Sequence, residues 1–102
     1  MAVGDLPVPV KSTVNATAAS GEKVPFNGKR VRIYMENLST LYDVWIYWGT
    51  AAVIGEGRRL QADGGAIEIE IDTSKGDDWA KDSIHMIATG ASADVAVEEL
   101  SS

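Results

Sequence analysis

Residues that could do chemistry are few in this chain. His85 is the only imidazole among 102 residues, and there is no cysteine. A serine nucleophile needs a base within hydrogen-bond reach, so any hydrolytic chemistry would have to centre on His85. Because His85 alternates with the apolar Ile84 and Met86, we expect it at a surface or interface position of a strand. The lack of cysteine excludes disulfides, thiolate zinc sites and a cysteine nucleophile.

Carboxylates are the second source of chemistry. Glu68 and Glu70 share one face of a predicted strand, as a glycosidase pair would require. A domain of this length would also have to build a sugar-length cleft around them, so we interpret them as solvent-facing charges that protect an exposed strand. The loop from Asp72 to Asp78 concentrates oxygen atoms of the kind that Ca²⁺ binds. Ser74 and Lys75 interrupt that pattern, which favours a solvated loop and no cofactor, with calcium left as an alternative.

Aromatic residues give the clearest signal for binding. Tyr42, Trp45, Tyr47 and Trp48 fall within seven residues. If residues 44–48 form a strand, Trp45 and Tyr47 share one face while Trp48 lies on the other with two aliphatic residues. Only one face can be the core, so the other offers aromatic side chains to a protein partner or to a sugar. The candidate partner interface consists of Leu6, Val8, Val10, Tyr42, Trp45, Tyr47 and Trp79.

The elements that must position these residues are short and β-like. Alternating or β-branched segments separated by turn residues occupy 31–36, 44–48, 58–61, 66–71, 83–89 and 94–98. No helical period lasts for about 12 residues, and the best helical candidate is one or two turns over 77–82. The pattern predicts an all-β fold, an antiparallel β-sandwich or small barrel. We expect its core to contain Val31, Ile33, Met35, Ile67, Ile69, Ile71, Val95 and Val97.

The N-terminal segment differs from the rest of the chain. It contains Pro7 and Pro9 and few large apolar side chains, so it cannot bury much surface by itself. We therefore predict an extended arm over residues 1–22, followed by one β-sandwich domain over residues 23–102. Because residues 6–10 are too apolar for a simple solvated tail, we expect the arm to pair with a neighbour's strand or to lie along a partner.

Charge narrows the possible partners. The formal net charge is −6, and residues 62–102 contain ten acidic residues against two basic ones. Such a chain is a poor nucleic-acid binder, because phosphate contacts supply most of that affinity. There is no apolar run of about 18 residues and no signal-peptide pattern, so we expect no membrane span. The more basic N-terminal part and the acidic C-terminal part suit self-association.

The order of these segments resembles small virion proteins of tailed bacteriophages. The resemblance covers residues 30–99: a strand, an Asn-x-Ser turn at Asn37, an aromatic strand ending in Gly49, and an acidic alternating strand. Its most distinctive part is the terminal pair of segments, Ile-Ala-Thr-Gly from Ile87 and Asp-Val-Ala-Val-Glu from Asp94. In such proteins these two segments form a terminal β-hairpin. The resemblance implies a β-sandwich with a structural role and no enzymatic activity.

From this resemblance we expect a capsid decoration (cement) protein, located on the capsid surface of a virion that assembles in the cytoplasm of the bacterial host. Its partners would be the major capsid protein and other copies of itself in a homotrimer. A neck, tail or fibre component is the alternative within phages, and a carbohydrate-binding β-sandwich module is the alternative outside them.

Overall fold

The computed structural model describes residues 8–102, which fold into two four-stranded antiparallel sheets. The strands alternate between the sheets as the chain advances, apart from the β4–β5 hairpin. They are β1 (Val10–Thr17), β2 (Gly21–Val24), β3 (Arg30–Asn37), β4 (Val44–Trp48), β5 (Arg58–Leu60), β6 (Ala66–Glu70), β7 (Ile84–Ala88) and β8 (Ser92–Ser101).

The strand order identifies the sandwich as an eight-stranded jelly roll. The first sheet has the order β1-β8-β3-β6 and the second has the order β2-β7-β4-β5. This interleaving of two Greek keys is the jelly-roll arrangement found among viral capsid and lectin domains, and it defines architecture without defining function. The all-β prediction is confirmed, and of its two variants the sandwich is the one observed. One side of each sheet faces the shared core and the other faces outward.

The core lies between the sheets and consists of side chains that alternate along each strand. Ile33 and Met35 of β3 are fully buried, as are Val44 and Ile46 of β4. Strands β7 and β8 add their own alternating set, Ile84, Met86, Ala88, Ala93, Val95 and Val97. Burial of such side chains is worth about 1.5–3 kcal/mol each. Of the eight core residues expected from the sequence, Ile33, Met35, Val95 and Val97 are buried.

The other four expected core residues are only half-buried, and their position explains the difference. Ile67, Ile69 and Ile71 belong to β6 or directly follow it, and β6 is an edge strand. Their side chains face the core side, since Ile69 pairs with Ile33 in register. The neighbouring strand covers them on one side only. Val31, near the start of β3, is half-buried as well.

The extended arm expected over residues 1–22 is not what the structure has for most of that segment. Residues 10–17 form β1, which pairs with β8 from Val10 opposite Glu99 to Thr17 opposite Ser92. Residues 21–24 form β2, which pairs with β7. The pairing partner is this chain's own sheet, which supplies the apolar contacts that the segment lacks locally. Residues 1–7, including Leu6, lie outside the described residues.

The predicted helical turns are present as a 3-10 helix. The turns predicted over 77–82 correspond to the 3-10 helix Asp77–Lys81, and a second 3-10 helix that was not predicted covers Thr73–Lys75; both lie in the connection between β6 and β7. Asp72 caps the helix Thr73–Lys75, since its side chain accepts a hydrogen bond from the backbone N–H of Ser74. No helix among the described residues is long and apolar enough to span a membrane.

Candidate interaction surface

Tyr42, one of the predicted interface residues, packs inside the domain. Its ring lies against Gly90, where an added Cβ would come within 2.1–2.4 Å of three ring atoms. The ring is half-buried and packs against the core cluster. A side chain at position 90 would clash with the Tyr42 ring, which explains why a glycine occupies this position. We assign Tyr42 a packing role at the turn between β7 and β8.

Trp45 lies on the outer face of the second sheet and is partly covered by its own chain. The guanidinium of Arg59, its cross-strand neighbour on β5, sits 5.7 Å from the centre of the indole ring. That distance is within the range of a cation–π contact. On the other side Trp45 pairs with Ile87 of β7. The predicted sharing of faces along β4 is confirmed, with Val44 and Ile46 inward.

Tyr47 and Trp79 are the most exposed of the aromatic residues predicted for the interface. Tyr47 is 45% exposed and Trp79 is 46% exposed. Both line a groove of about 290 Å³, together with Trp48, Gly57 and Arg58. Tyr47 also borders a second groove of about 250 Å³, which includes Val53 and Glu56. We name the surface formed by Tyr47, Val53, Arg58 and Trp79 the aromatic corner.

Trp48 supports the aromatic corner from beneath. Its ring meets Trp79 edge-to-face, with centroids 5.2 Å apart and planes at 86°. This is a favoured geometry for an aromatic pair. The indole nitrogen of Trp48 is buried and has no hydrogen-bond partner within residues 8–102.

The β4–β5 connection presents the apolar side of the aromatic corner. Ala52 is buried, and its N–H donates to the hydroxyl of Ser20 over 2.8 Å, which anchors the loop to the β1–β2 turn. The N–H of Glu56 donates to the carbonyl of Val53 over 3.0 Å and closes a tight turn. Val53 and the following Ile54 are about half exposed on this turn. The loop is thus held at both points while its apolar tip faces solvent.

Arg30 fixes the segment that carries Trp79. It is fully buried and ion-paired with Glu99. One guanidinium nitrogen donates to the carbonyls of Ala80 at 2.7 Å and Asp82 at 3.0 Å, and another donates to the carbonyl of Pro25 at 2.9 Å. A planar guanidinium is suited to such a set of acceptors. Trp79 is therefore positioned by a buried charge as well as by its contact with Trp48.

The outer face of the first sheet has a different chemistry. Tyr34 stands among Glu36, Glu68 and Glu98, and its hydroxyl donates to Glu36 over 2.9 Å. The pKa of the Tyr34 phenol is raised above its ordinary value, first by that hydrogen bond and then by burial and the nearby negative charges. Arg32 is the nearby cation, 3.9 Å from Glu68 and 3.7 Å from Glu98. The outer face of the first sheet is therefore acidic, whereas the outer face of the second sheet carries aromatic side chains.

The structure brings His85 close to a serine without building a catalytic site around them. The Ser83 hydroxyl is 3.3 Å from Nε2 of His85. Glu22 and Tyr47 are the cross-strand neighbours of His85. Among the residues that the structure describes, no carboxylate bonds to the second ring nitrogen, and neither residue lines one of the grooves described here. The contact can hold the imidazole in place.

Carboxylates of the acidic loop, residues 72–78, accept hydrogen bonds from the loop's own backbone. Oδ1 of Asp72 accepts from the N–H and the hydroxyl of Ser74, at 3.0 Å and 2.6 Å, and Asp77 accepts from the N–H of Asp72 at 3.1 Å. Within residues 8–102 no group of three or more His, Asp or Glu side chains is arranged to hold a metal ion. The carboxylates of this loop serve the turns that precede Trp79.

Other predicted and unpredicted surface residues lie elsewhere. Val8 and Val10 are 73% and 67% exposed, just before and at the start of β1. Within the described residues β1 is an edge strand, with a neighbouring strand on one side only. Leu38 and Leu41 are exposed on the β3–β4 loop, where the side chains of Asn37 and Ser39 accept hydrogen bonds from the backbone N–H groups of Ser39 and Tyr42. Sequence reasoning did not single out these leucines or the Val53–Ile54 tip. Leu38 and Leu41 are single aliphatic residues in a polar loop, and Val53 and Ile54 follow two alanines, so neither segment has a pattern that predicts exposure.

This chain has little detectable similarity to known proteins. No family model matches it, and no curated protein matches it either. One solved structure, from work on Bacillus endospore appendages that form disulfide-linked pili, is similar over 100% of this chain and 96% of the other. The two share 12% sequence identity with a TM-score of 0.44, a likeness that carries no functional argument.

Proposed function

We propose that this protein is a non-enzymatic structural module that binds the outer surface of a phage capsid and stabilises the shell. The observation that carries the proposal is the aromatic corner. It combines Tyr47, Trp79 and Arg58, the residue types that dominate binding hot spots, with the apolar turn at Val53. Exposed apolar surface of this kind marks interaction sites in soluble proteins.

The support beneath the aromatic corner also fits a binding role. The ion pair and hydrogen bonds of Arg30 hold the Trp79 segment, and the Ser20 contact holds the β4–β5 loop. A surface held in its bound conformation loses less conformational entropy on association. The sequence resemblance to small virion proteins supplies the class of partner, the major capsid protein. A decoration protein of this kind would stabilise the shell by adding interface area between neighbouring capsid subunits.

Co-sedimentation with empty heads of the phage that encodes the chain tests this proposal. We expect the wild-type chain to sediment with the heads, and Trp79→Ala and Tyr47→Ala to weaken binding by about tenfold or more, as hot-spot truncations do. A matched control is Leu41→Ala, which removes a side chain that is 77% exposed at a different loop. Binding only to tail or neck assemblies would assign the alternative phage role. Full retention of head binding by both aromatic variants would refute the proposal.

A carbohydrate-binding module is the second candidate, favoured by the groove between Tyr47 and Trp79. Sugars stack on exposed aromatic rings, and Arg58 at the rim could donate hydrogen bonds to hydroxyl groups. Tryptophan fluorescence titrated with a panel of soluble oligosaccharides tests this directly. A saturable change that Trp79→Ala abolishes, without binding to heads, would favour this candidate over the first.

A further inference from the structure

One side of the sandwich leaves two edge strands open. Strand β5 is the last strand of one sheet and β6 is the last strand of the other. Strand β1 contacts both β2 and β7, so the β1 and β2 ends of the sheets lie together, and β5 and β6 share the opposite side. The short connection over residues 61–65 agrees with this placement. We name this side, formed by β5, β6 and Ile71, the β5–β6 edge.

The β5–β6 edge leaves apolar side chains incompletely covered. Ile67 and Ile69 are half-buried, whereas Met35 and Ile33, their register partners on β3, are fully buried. Strand β5 has three residues against the five of β6, so the second sheet is shorter on this side. The isoleucines are oriented toward a core that the single chain does not close around them.

The charges of the two strands are opposite. Strand β5 carries Arg58 and Arg59, and β6 carries Glu68 and Glu70. Neither arginine makes an ion pair within residues 8–102. Pairing β6 with β6 of another copy would oppose carboxylates, and pairing β5 with β5 would oppose guanidiniums. Only pairing of β5 with β6 brings unlike charges together, which makes the edge selective.

We propose that the β5–β6 edge is a dimerisation surface, occupied by the same edge of a second copy of this chain. A two-fold axis parallel to the strands exchanges the two sheet levels, so β6 of each copy lies beside β5 of the other. The short connection joins the end of β5 to the start of β6, so these strands run in opposite directions. A rotation about an axis along the strands preserves strand direction, so each intermolecular pair is antiparallel.

This arrangement accounts for the open strand edges, the opposite charges and the half-buried isoleucines. The backbone groups of both edge strands gain hydrogen-bond partners, as in strand addition to an open sheet. The outer faces of the joined sheets become continuous, which places Arg59 of one copy on the same face as Glu68 and Glu70 of its partner. The half-covered isoleucines come to lie inside the contact. Because each copy contributes the same patch, the assembly closes at two copies, in place of the trimer expected from the sequence.

Sedimentation equilibrium across micromolar to near-millimolar concentration tests the proposal, with circular dichroism to confirm folding. We expect a wild-type dimer that weakens in high salt. The variants Arg59→Glu and Glu68→Arg/Glu70→Arg should each weaken homodimerisation by about tenfold or more, because like charges then face each other. An equimolar mixture of the two variants should restore a 1:1 dimer, since both pairings regain opposite charges.

A matched control is Lys11→Glu, which changes the net charge by the same amount as the arginine reversal at an exposed position on β1, on the opposite side of the sandwich. It should leave the dimer unchanged. Hydrogen exchange of wild-type residues 58–60 and 66–70 should slow as concentration rises, which gives a readout that needs no variant. A monomer at every concentration, a trimer, or a mixture of reversal variants that fails to associate would each overturn the proposal. Because none of these measurements uses a capsid, their outcome is separate from that of the proposed function.

Discussion

Replacement of Arg30 should be the most destabilising conservative change in this domain. Arg30→Met keeps most of the aliphatic volume but removes the ion pair with Glu99 and the donors to three backbone carbonyls. Removing one partner of a buried charged pair costs about 3–5 kcal/mol. Domains of this size are typically stable by about 5–15 kcal/mol, so the loss is a large part of the total.

Three features of the structure refine that magnitude. Arg30 is fully buried, whereas the Glu99 side chain is 22% exposed and can recover some hydration when its partner is lost. The carbonyls of Ala80, Asp82 and Pro25 lose a charged donor, and each hydrogen bond to a charged group is worth about 1.5–3 kcal/mol. Since these terms are not additive and water can enter, we expect a net loss of about 3–4 kcal/mol.

Urea unfolding followed by circular dichroism measures this loss. The matched control is Arg32→Met, two residues along the same strand, whose side chain is 34% exposed and whose ion pairs are 3.7 and 3.9 Å long. That variant should lose about 1 kcal/mol or less, and its loss should shrink in salt. The loss from Arg30→Met should persist in salt. If the two arginine variants lose equal stability, the role assigned to the buried guanidinium is refuted.

Three further predictions concern packing, pH and the N-terminus. Gly90→Ala should destabilise the domain by about 1–3 kcal/mol through overpacking against the Tyr42 ring, whereas Gly28→Ala, whose Cβ would meet only the Phe26 ring at 3.5 Å, should be near neutral by the same urea assay. Ultraviolet difference titration should show one tyrosine, absent in Tyr34→Phe, that ionises above the ordinary pKa of about 10, and Glu36→Gln should lower its midpoint. Because the folded pKa is raised, the stabilising contribution of this phenol is present below pH 10 and should be lost as pH rises through that midpoint; an unshifted midpoint would contradict the hydrogen-bond assignment. Deletion of residues 1–7 should leave the circular dichroism spectrum unchanged and weaken capsid binding, and unaltered capsid binding would remove any role for that segment in attachment.

Alternation along single strands made much of the fold predictable. The strand at 44–48 is found with the predicted bounds, and the inward face of β3 and β8 is the one expected. Strands β3 and β8 carry their own signal because apolar residues alternate with polar ones, and the strand at 44–48 carries one because it consists of β-branched and aromatic residues. The turn at Asn37 is also as expected, with the buried amide donating to the carbonyls of Tyr42 and Leu60.

The N-terminal strands could not be predicted from local pattern, for a physical reason. Strand β1 has Val14 and Ala16 as its inward residues, and Val14 is only half-buried. Its stability comes from an eight-residue register with β8, more than 70 positions away in sequence. A polar edge strand and a solvated arm have the same local composition, so a partner strand that the sequence does not identify decides between them.

The candidate surface, too, was only partly predictable from the sequence. Trp79 and Tyr47 were predictable because large aromatic side chains are conspicuous in a short β-rich chain. Arg58 and the β4–β5 tip could not be assigned, because their place depends on how the connection folds back and on the approach of Gly57 to the strand. Gly57 has φ of +85°, and an added Cβ would lie 2.4 Å from the carbonyl oxygen of Ile46.

The half-buried isoleucines of β6 show how sequence pattern and topology act together. Alternation assigns Ile67 and Ile69 to the inward face correctly, and the structure places them there. Their incomplete burial follows from strand order, since an edge strand has one lateral neighbour and β5 across the core is short. Sequence pattern therefore reports which face a side chain uses, and topology decides how fully that face is covered. Where the pattern favours burial and the single chain provides only part of it, the proposed pairing of β5 with β6 of a second copy would supply the remaining cover.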